Sequence, residues 1–381
     1  DTCTRAPTHL ECSLVHLPVP LTNTTYTVGV KAVGGKEEMV ELTFVSPTIA
    51  ATAESFNDTG YWHFSITRPL FYSGNQTTIG ITNKDNATLS LTCKRDESEC
   101  DMGDGSGSGE GALLVDTLRL LSCAFTEGTT IRCTLHFDTF PTSTQTYDIH
   151  VTTPGIEDEA LRPKYTEPEV GVEESVVMDT NRYSFTVSNM KYTEGDPQQT
   201  SAISIWDTTK STEITWTCKR QSSTDTPTCS GQKSTISGDL SFTSCVYGND
   251  TVTCTLELDA FPDMNITYNL KIRVEGKSEV STSLVYTAPT ITIGTGALAD
   301  TGVHTFTIQN PKYLSEHTTE ISLSTSIKDT SGTSSTEWVC TPNGDTGMAC
   351  ETEDTPAHFK IDICTRAQTH LECSLVHLTV P

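Results

Sequence analysis

The chain repeats itself. Residues 1–20 read DTCTRAPTHLECSLVHLPVP and residues 362–381 read DICTRAQTHLECSLVHLTVP, so seventeen of twenty positions agree at an offset of 361. A fixed period restricts a chain to architectures built from one supersecondary unit used many times. The three mismatches argue against a copying artefact. A weaker period lies inside the long one. Cys12, Cys133, Cys254 and Cys373 are spaced 121, 121 and 119 residues apart. Each is followed eight residues later by a proline, at Pro20, Pro141, Pro262 and Pro381. Tyr26, Tyr147 and Tyr268 stand fourteen residues after the first three of these cysteines. Pro47, Pro168 and Pro289 are again 121 apart, preceded by FVS, YTE and YTA, and Phe64, Phe185 and Phe306 keep the same register.

These periods define repeats at 47–167, 168–288 and 289–381, the last truncated, with 1–46 the C-terminal part of an equivalent repeat. One 361-residue block holds three repeats. Blocks match far better than repeats do, so block duplication is the more recent event.

Inside each repeat the pattern is that of strands. Tyr26, Tyr147 and Tyr268 open runs that alternate apolar and polar residues, as do Ile131-Cys133-Leu135-Phe137 and Val252-Cys254-Leu256-Leu258. LSLTC at 89–93 and ITWTC at 214–218 do the same. The chain holds 68 Thr and 35 Ser, and threonine's β-branch suits a pleated, half-buried surface. Gly248-Asn249-Asp250, Thr126-Glu127-Gly128 and the recurrent proline supply turns. No amphipathic helix is expected.

Seven or eight short strands in about 120 residues resemble an immunoglobulin-like Greek-key β-sandwich. The immunoglobulin Cys…Trp…Cys spacing is absent. Trp216 and Trp338 instead stand two residues before a Cys, and Leu91 takes that place in the first repeat. The organisation is similar to the tandem sandwich repeats of extracellular adhesins and surface filaments. The expected fold is therefore all-β, tandem immunoglobulin-like sandwiches joined end to end by short stiff linkers. That resemblance implies a scaffold role and carries no site residues.

There are fourteen cysteines. Cys3 and Cys12 lie in the leading segment, and the repeats carry Cys93, Cys100, Cys123 and Cys133, then Cys218, Cys229, Cys245 and Cys254, then Cys340, Cys350, Cys364 and Cys373. All are expected in disulfides. Spacings of six to ten residues without CxxC clusters fit zinc knuckles poorly. Four thiols per repeat allow three connectivities. Chain proximity favours joining first to second and third to fourth. Face parity opposes it, because Cys245 lies opposite Leu240 and Phe242 of its own strand. Proximity is the stronger argument. Six N-x-S/T sequons, at Asn23, Asn57, Asn75, Asn86, Asn249 and Asn265, are candidate glycosylation sites. Together with paired cysteines they point to an oxidising compartment, so the chain is expected outside the cell or on its surface. Asn23 and Asn265 sit three residues before the recurrent tyrosine, and Thr144 fills that place in the first repeat. The dense Thr and Ser also invite O-linked sugars.

Catalytic chemistry is not indicated. No G-x-S-x-G, H-E-x-x-H or phosphate-binding glycine loop occurs. His16 and His377 are one repeated position whose counterparts are Phe137 and Leu258, which reads as packing rather than ligation. The run DMGDGSGSGEG at 101–111 lacks the ligand spacing of a calcium loop and is absent from the other repeats. Asp58, Asp179 and Asp300 recur before Thr, where an Asx-type turn explains them better than an interdomain calcium ion. No cofactor and no metal is expected. With 49 acids against 24 bases the net charge is −25, which repels nucleic acid and anionic membrane. No apolar run is long enough to span a bilayer.

The expected function is a structural repeat segment of an extracellular glycosylated fibre or surface appendage, whose partners are further copies of the same block. The alternative is an adhesin or receptor ectodomain that binds a partner through its loops. Divergence between blocks concentrated in loops would favour binding, and uniform identity would favour a fibre. An enzyme would need one repeat with a polar constellation that the others lack. The native chain is expected to continue past both ends in the 361-residue register. Intact-mass measurement or transcript sequencing that returned a mature chain of about 381 residues would refute this.

Overall fold

The computed structural model describes the chain except residues 1, 14–19, 72–74, 84–87, 96, 103–110, 127–129, 173–179, 196, 211, 295–301, 314–317, 327–332, 344–345, 354–357, 368 and 379–381. It is all-β and divides into two compact units, Asp1–Glu167 and Pro168–Pro381.

The first unit opens with β1 (Thr2–Arg5), β2 (Leu10–Ser13), β3 (Thr24–Lys31) and β4 (Glu37–Phe44), which form two separate hairpins, β1-β2 and β3-β4. A sandwich follows, made of β5 (Thr48–Ala51), β6 (Tyr61–Thr67), β7 (Gln76–Asn83), β8 (Leu89–Lys94), β9 (Ala112–Val115), β10 (Leu118–Thr126), β11 (Thr130–Phe137), β12 (Gln145–Thr146), β13 (Ile149–Thr153), β14 (Ile156–Leu161) and β15 (Lys164–Tyr165). Its main sheets run β5-β6-β11-β10-β9 and β14-β13-β7-β8, with β12-β15 a short extra pair.

The second unit begins with β16 (Glu169–Val172), β17 (Arg182–Ser188), β18 (Gln199–Asp207), β19 (Ile214–Arg220), β20 (Thr228–Ser230), β21 (Ser234–Ser237), β22 (Leu240–Gly248), β23 (Thr251–Leu258), β24 (Ile266–Val274) and β25 (Val280–Tyr286). These form sheets of order β16-β17-β23-β22-β21 and β20-β19-β18-β24-β25. That order is the immunoglobulin arrangement, A-B-E-D facing G-F-C-C′-C″, with β21 added at the edge beside D. The remaining strands are β26 (Thr290–Ile293), β27 (Val303–Gln309), β28 (Thr319–Ser326), β29 (Thr333–Asn343), β30 (Gly347–Glu351), β31 (Phe359–Arg366) and β32 (His370–His377). They form one seven-stranded sheet, β26-β27-β32-β31-β30-β29-β28, which β30 and β31 make continuous through Met348 and Cys364.

The alternation in the sequence becomes burial. In β23 the residues Val252, Cys254, Leu256 and Leu258 are buried while the residues between them are not, and β11 repeats the pattern with Ile131, Cys133, Leu135 and Phe137. The two faces meet in a core of Phe185, Trp216, Phe242, Leu270 and Tyr286 in the second sandwich and of Trp62, Phe64, Ile81, Val151 and Tyr165 in the first. Asn249 and Asp250, with φ of 51° and 60°, close the β22-β23 hairpin with two left-handed residues, which matches the right-handed twist of the strands. Gly231 has no substitute, because a Cβ there would lie 2.5 Å from the Trp216 ring.

Seven disulfides are present, Cys3–Cys12, Cys93–Cys100, Cys123–Cys133, Cys218–Cys229, Cys245–Cys254, Cys340–Cys350 and Cys364–Cys373. The face-parity objection is met by β-bulges. In β22 the register shifts between Phe242 and Ser244, so Leu240, Phe242 and Cys245 all reach the core. The same shift falls between Leu120 and Ser122 in β10 and between Ile361 and Cys364 in β31. The bridge then joins residues directly opposite each other, and the recurrent phenylalanine lies across from it on the next strand. Phe64 pairs with Cys133, Phe185 with Cys254 and Phe306 with Cys373. In the second and third repeats both disulfides link neighbouring strands, whereas in the first Cys93 of β8 is bridged to Cys100, which lies between strands, and none of these bridges takes the immunoglobulin route from strand B to strand F. Those two strands put Phe185 and Leu270 into the core instead.

Replacing Cys245 and Cys254 together by Ser should destabilise the second sandwich by about 2.5 kcal/mol, the loop-entropy value for so short a loop. Calorimetry of the full chain should show that transition move down while the melting of the first unit stays in place.

Candidate functional site

Each described repeat end carries one recurring polar device. Asn23 Oδ1 accepts the Ser46 N–H at 2.8 Å, Thr144 Oγ1 accepts the Glu167 N–H at 3.1 Å, and Asn265 Oδ1 accepts the Ala288 N–H at 2.8 Å. The donor is in every case the residue immediately before Pro47, Pro168 or Pro289, and the acceptor lies 23 residues earlier. The side chain thus ties the loop after the recurrent proline to the last residue of its own repeat. The equivalence of positions 23, 144 and 265 is visible in the sequence, but not their shared bond, because the partner is a backbone group with no sequence signature. Asn265→Ala should cost about 1 kcal/mol of stability, the net value of one hydrogen bond, whereas Asn265→Thr should retain most of it because Thr144 already makes this bond. Thermal melting of the two variants checks the difference.

The same geometry bears on the sequons. Asn23, Asn57, Asn75, Asn249 and Asn265 are all exposed, and Asn86 lies outside the described residues. At Asn23 and Asn265 the latch uses Oδ1, which leaves Nδ2, the atom that carries an N-linked sugar, on an exposed side chain. Asn57 Oδ1 accepts from the Thr59 N–H and hydroxyl, both at 3.1 Å, and from the Tyr61 N–H at 2.7 Å. Asn75 and Asn249 occupy left-handed turn positions. Glycopeptide mapping of native material should find sugar at Asn23 and Asn265. Both asparagines bare would count against the secretory reading itself.

Other candidates dissolve on inspection. The cluster Cys340, Cys350 and Cys364 has sulfur atoms within 4.8 Å of one another, but the residues belong to two disulfides, with Cys350 Sγ 3.6 Å from Cys364 Sγ, and oxidised sulfur offers no thiolate to a metal. Asp58 is half-buried, while Asp179, Asp300 and the core of the 101–111 run lie outside the described residues. His377 corrects the packing expectation. It is exposed, with its ring 5.1 Å from Phe359, whereas its counterpart Phe137 is buried beneath Phe56, Phe140, Tyr147 and Tyr165. His16 lies outside the described residues. His63 is lowered in pKa by burial and by Arg132, and its Nδ1 lies 3.0 Å from Thr134 Oγ1. An open groove of about 590 Å³ in the first unit is lined by Trp62, Thr52, Glu54, Arg162 and Lys164, and the Trp62 indole donates to the Ala53 carbonyl at 2.6 Å. No nucleophile with an oriented base stands in it. No helix among the described residues is long and apolar enough to cross a membrane.

The tyrosines beside the latch are built into the core. Burial, with Asp116 adding to it and a hydrogen bond from Gln145 opposing it, pushes the Tyr147 phenol up to about 12. Burial, then Tyr268 and Asp263, pushes Tyr286 up to about 12. A raised phenol stabilises the fold fully below its unfolded pKa, and that stability is lost as pH rises through the folded value. Both sandwiches should therefore weaken between about pH 10 and pH 12. Absorbance titration of tyrosine alongside circular dichroism should show ionisation and unfolding together in that window.

No family model matches the chain, and no curated protein matches it. Among solved structures, a marsupial T cell receptor aligns over 88% of this chain and 93% of its own at 8% identity, with a TM-score of 0.24. A tetra-tandem repeat from the extending region of a large adhesion protein aligns over 94% of this chain and 83% of its own at 9% identity, with a TM-score of 0.20.

Proposed function

We propose that the chain is a structural repeat segment of an extracellular, glycosylated fibre or surface appendage, with no catalytic role. Its building units are the repeats 47–167, 168–288 and 289–381, with 1–46 the tail of a preceding one. The observation that carries this reading is that the repeats share their structural devices and, among the described residues, differ in no functional one. The phenylalanine–disulfide row recurs in all three repeats, and the proline-adjacent latch recurs at positions 23, 144 and 265. A catalytic protein needs at least one unit with chemistry of its own, whereas a scaffold needs only a unit that repeats. Seven disulfides suit an oxidising, extracellular setting. A surface of net charge −25, with sugars at the exposed asparagines, keeps such a scaffold soluble.

Electron microscopy of native material tests the proposal. A thread is expected, with an axial period on the order of 100–120 Å for a block of three sandwiches, each as long as its strands. Compact globules would overturn it.

A further inference from the structure

We propose that the two disulfides of a repeat form a thiol-exchange pair. Once an external thiol opens the first bridge, the second cysteine attacks the third, and the repeat settles with a bridge between those two. The proposal goes beyond the scaffold reading and is tested apart from it.

It rests on register. In the first repeat the segment 98–101 lies between β8 and β10 and is bonded to both. Asp101 and Thr92 exchange N–H to C=O bonds of 2.8 Å in each direction, which sets Cys100 opposite Cys93. On the other side Glu99 pairs with Ala124, the Cys100 N–H donates to the Cys123 carbonyl at 2.9 Å, and the Phe125 N–H donates to the Ser98 carbonyl at 3.0 Å. That sets Cys100 opposite Cys123 as well. Cys123 then pairs with Cys133, and Cys133 with Phe64. Residues directly opposite one another share a face. Four cysteines therefore stand in one row, joined in pairs from either end. Exchange at sulfur needs the entering and leaving sulfurs on opposite sides of the one attacked, because the new electron pair enters behind the old S–S bond. Cys100 and Cys133 flank Cys123 in this way.

The other repeats bring the same two cysteines together. In the third, β30 lies beside β31 through Met348 and Cys364, and Cys350 Sγ is 3.6 Å from Cys364 Sγ. In the second, Cys229 faces Cys218, Cys245 faces Cys254, and β20 packs against β22. Exposure sets the point of entry. Cys100, Cys229 and Cys350 are half-buried, whereas the other nine cysteines of the three repeats are at most 3% exposed. A thiol in solution meets the second cysteine first.

The steps balance with that thiol as the only reductant. Its thiolate attacks Cys100 Sγ and expels the Cys93 thiolate, which takes up a proton. A second thiol molecule attacks the external sulfur of the mixed disulfide, departs as the oxidised dimer and frees the Cys100 thiolate. This thiolate attacks Cys123 Sγ. The Cys123–Cys133 bond breaks, and Cys133 leaves as a thiolate and is protonated. Two thiol molecules become one disulfide, and the repeat gains thiols at Cys93 and Cys133 while keeping one bridge. In the second repeat the new bridge runs from β20 to β22 and so from one sheet to the other, where the original two stay within sheets.

The first repeat is the one to read, because Arg95, Arg119 and Arg132 part Cys93, Cys100, Cys123 and Cys133 onto four tryptic peptides. The full chain is treated with reduced glutathione at concentrations that leave its circular dichroism unchanged, quenched in acid, alkylated and mapped by mass spectrometry. A Cys100–Cys123 linked pair is expected, with Cys93 and Cys133 labelled equally and Cys100 and Cys123 protected. Cys93→Ser should reach the same bridge without any reductant and expose Cys133 to label, and Cys133→Ser should reach it and expose Cys93. The glutathione result on the parent chain decides if either variant fails to fold. Label on Cys93 and Cys100 with Cys123–Cys133 intact would overturn the proposal. So would label on all four cysteines, a new bridge between any other two, or bridges that stay closed until the chain unfolds.

Discussion

A sheet with one apolar face is not stable in water until something covers that face. The two sandwiches solve this with a partner sheet, and the strands that complete the cover come last in the repeat. In the second sandwich β24 and β25 bring Tyr268, Leu270, Ile272, Val274, Leu284 and Tyr286 into the core. The strands described in the third repeat form one continuous seven-stranded sheet.

The disulfides follow from the same thinness. A sandwich core is about 10 Å deep, so residues on neighbouring strands of one sheet are as accessible to each other as residues across the core. In the second and third repeats the bridges stay within sheets, and in the third they lie next to each other, as the 3.6 Å approach of Cys350 to Cys364 shows. A one-residue bulge makes this arrangement possible by turning the third cysteine of each repeat inward. The recurrent Phe64, Phe185 and Phe306 then complete a row across three strands.

Much of this is legible in the sequence, and the limits are physical. Alternating runs such as Val252 to Leu258 mark strands because burial on one face leaves a period of two. The repeat frame rests on Pro47, Pro168 and Pro289, whose spacing needs no structure to see. Bulges leave no such trace, since a single extra residue such as Thr243 looks like any other polar position. His377 misleads because its counterparts Phe137 and Leu258 are buried by segments that lie elsewhere in the repeat. The latch at positions 23, 144 and 265 escapes for a related reason. Asn and Thr are common turn residues, and only the fold brings them opposite a backbone N–H 23 residues away.

In the second sandwich each bridge joins strands that are already neighbours in one sheet, so it encloses very little chain. In the second sandwich the two loops span 11 and 9 residues. If tension were applied through the two ends of that repeat, it would enter at β16 and leave at β25, and neither strand carries a bridge. The load would fall on hydrogen bonds and apolar contacts alone. A repeat that gave way would release nearly its whole contour length, with only roughly 70 Å held back inside the closed loops. Chemically stapled sandwiches of this design thus combine two properties that a bridge between the sheets would set against each other. They resist local fraying, and they keep a long reserve of extension in which a sudden pull can be dissipated.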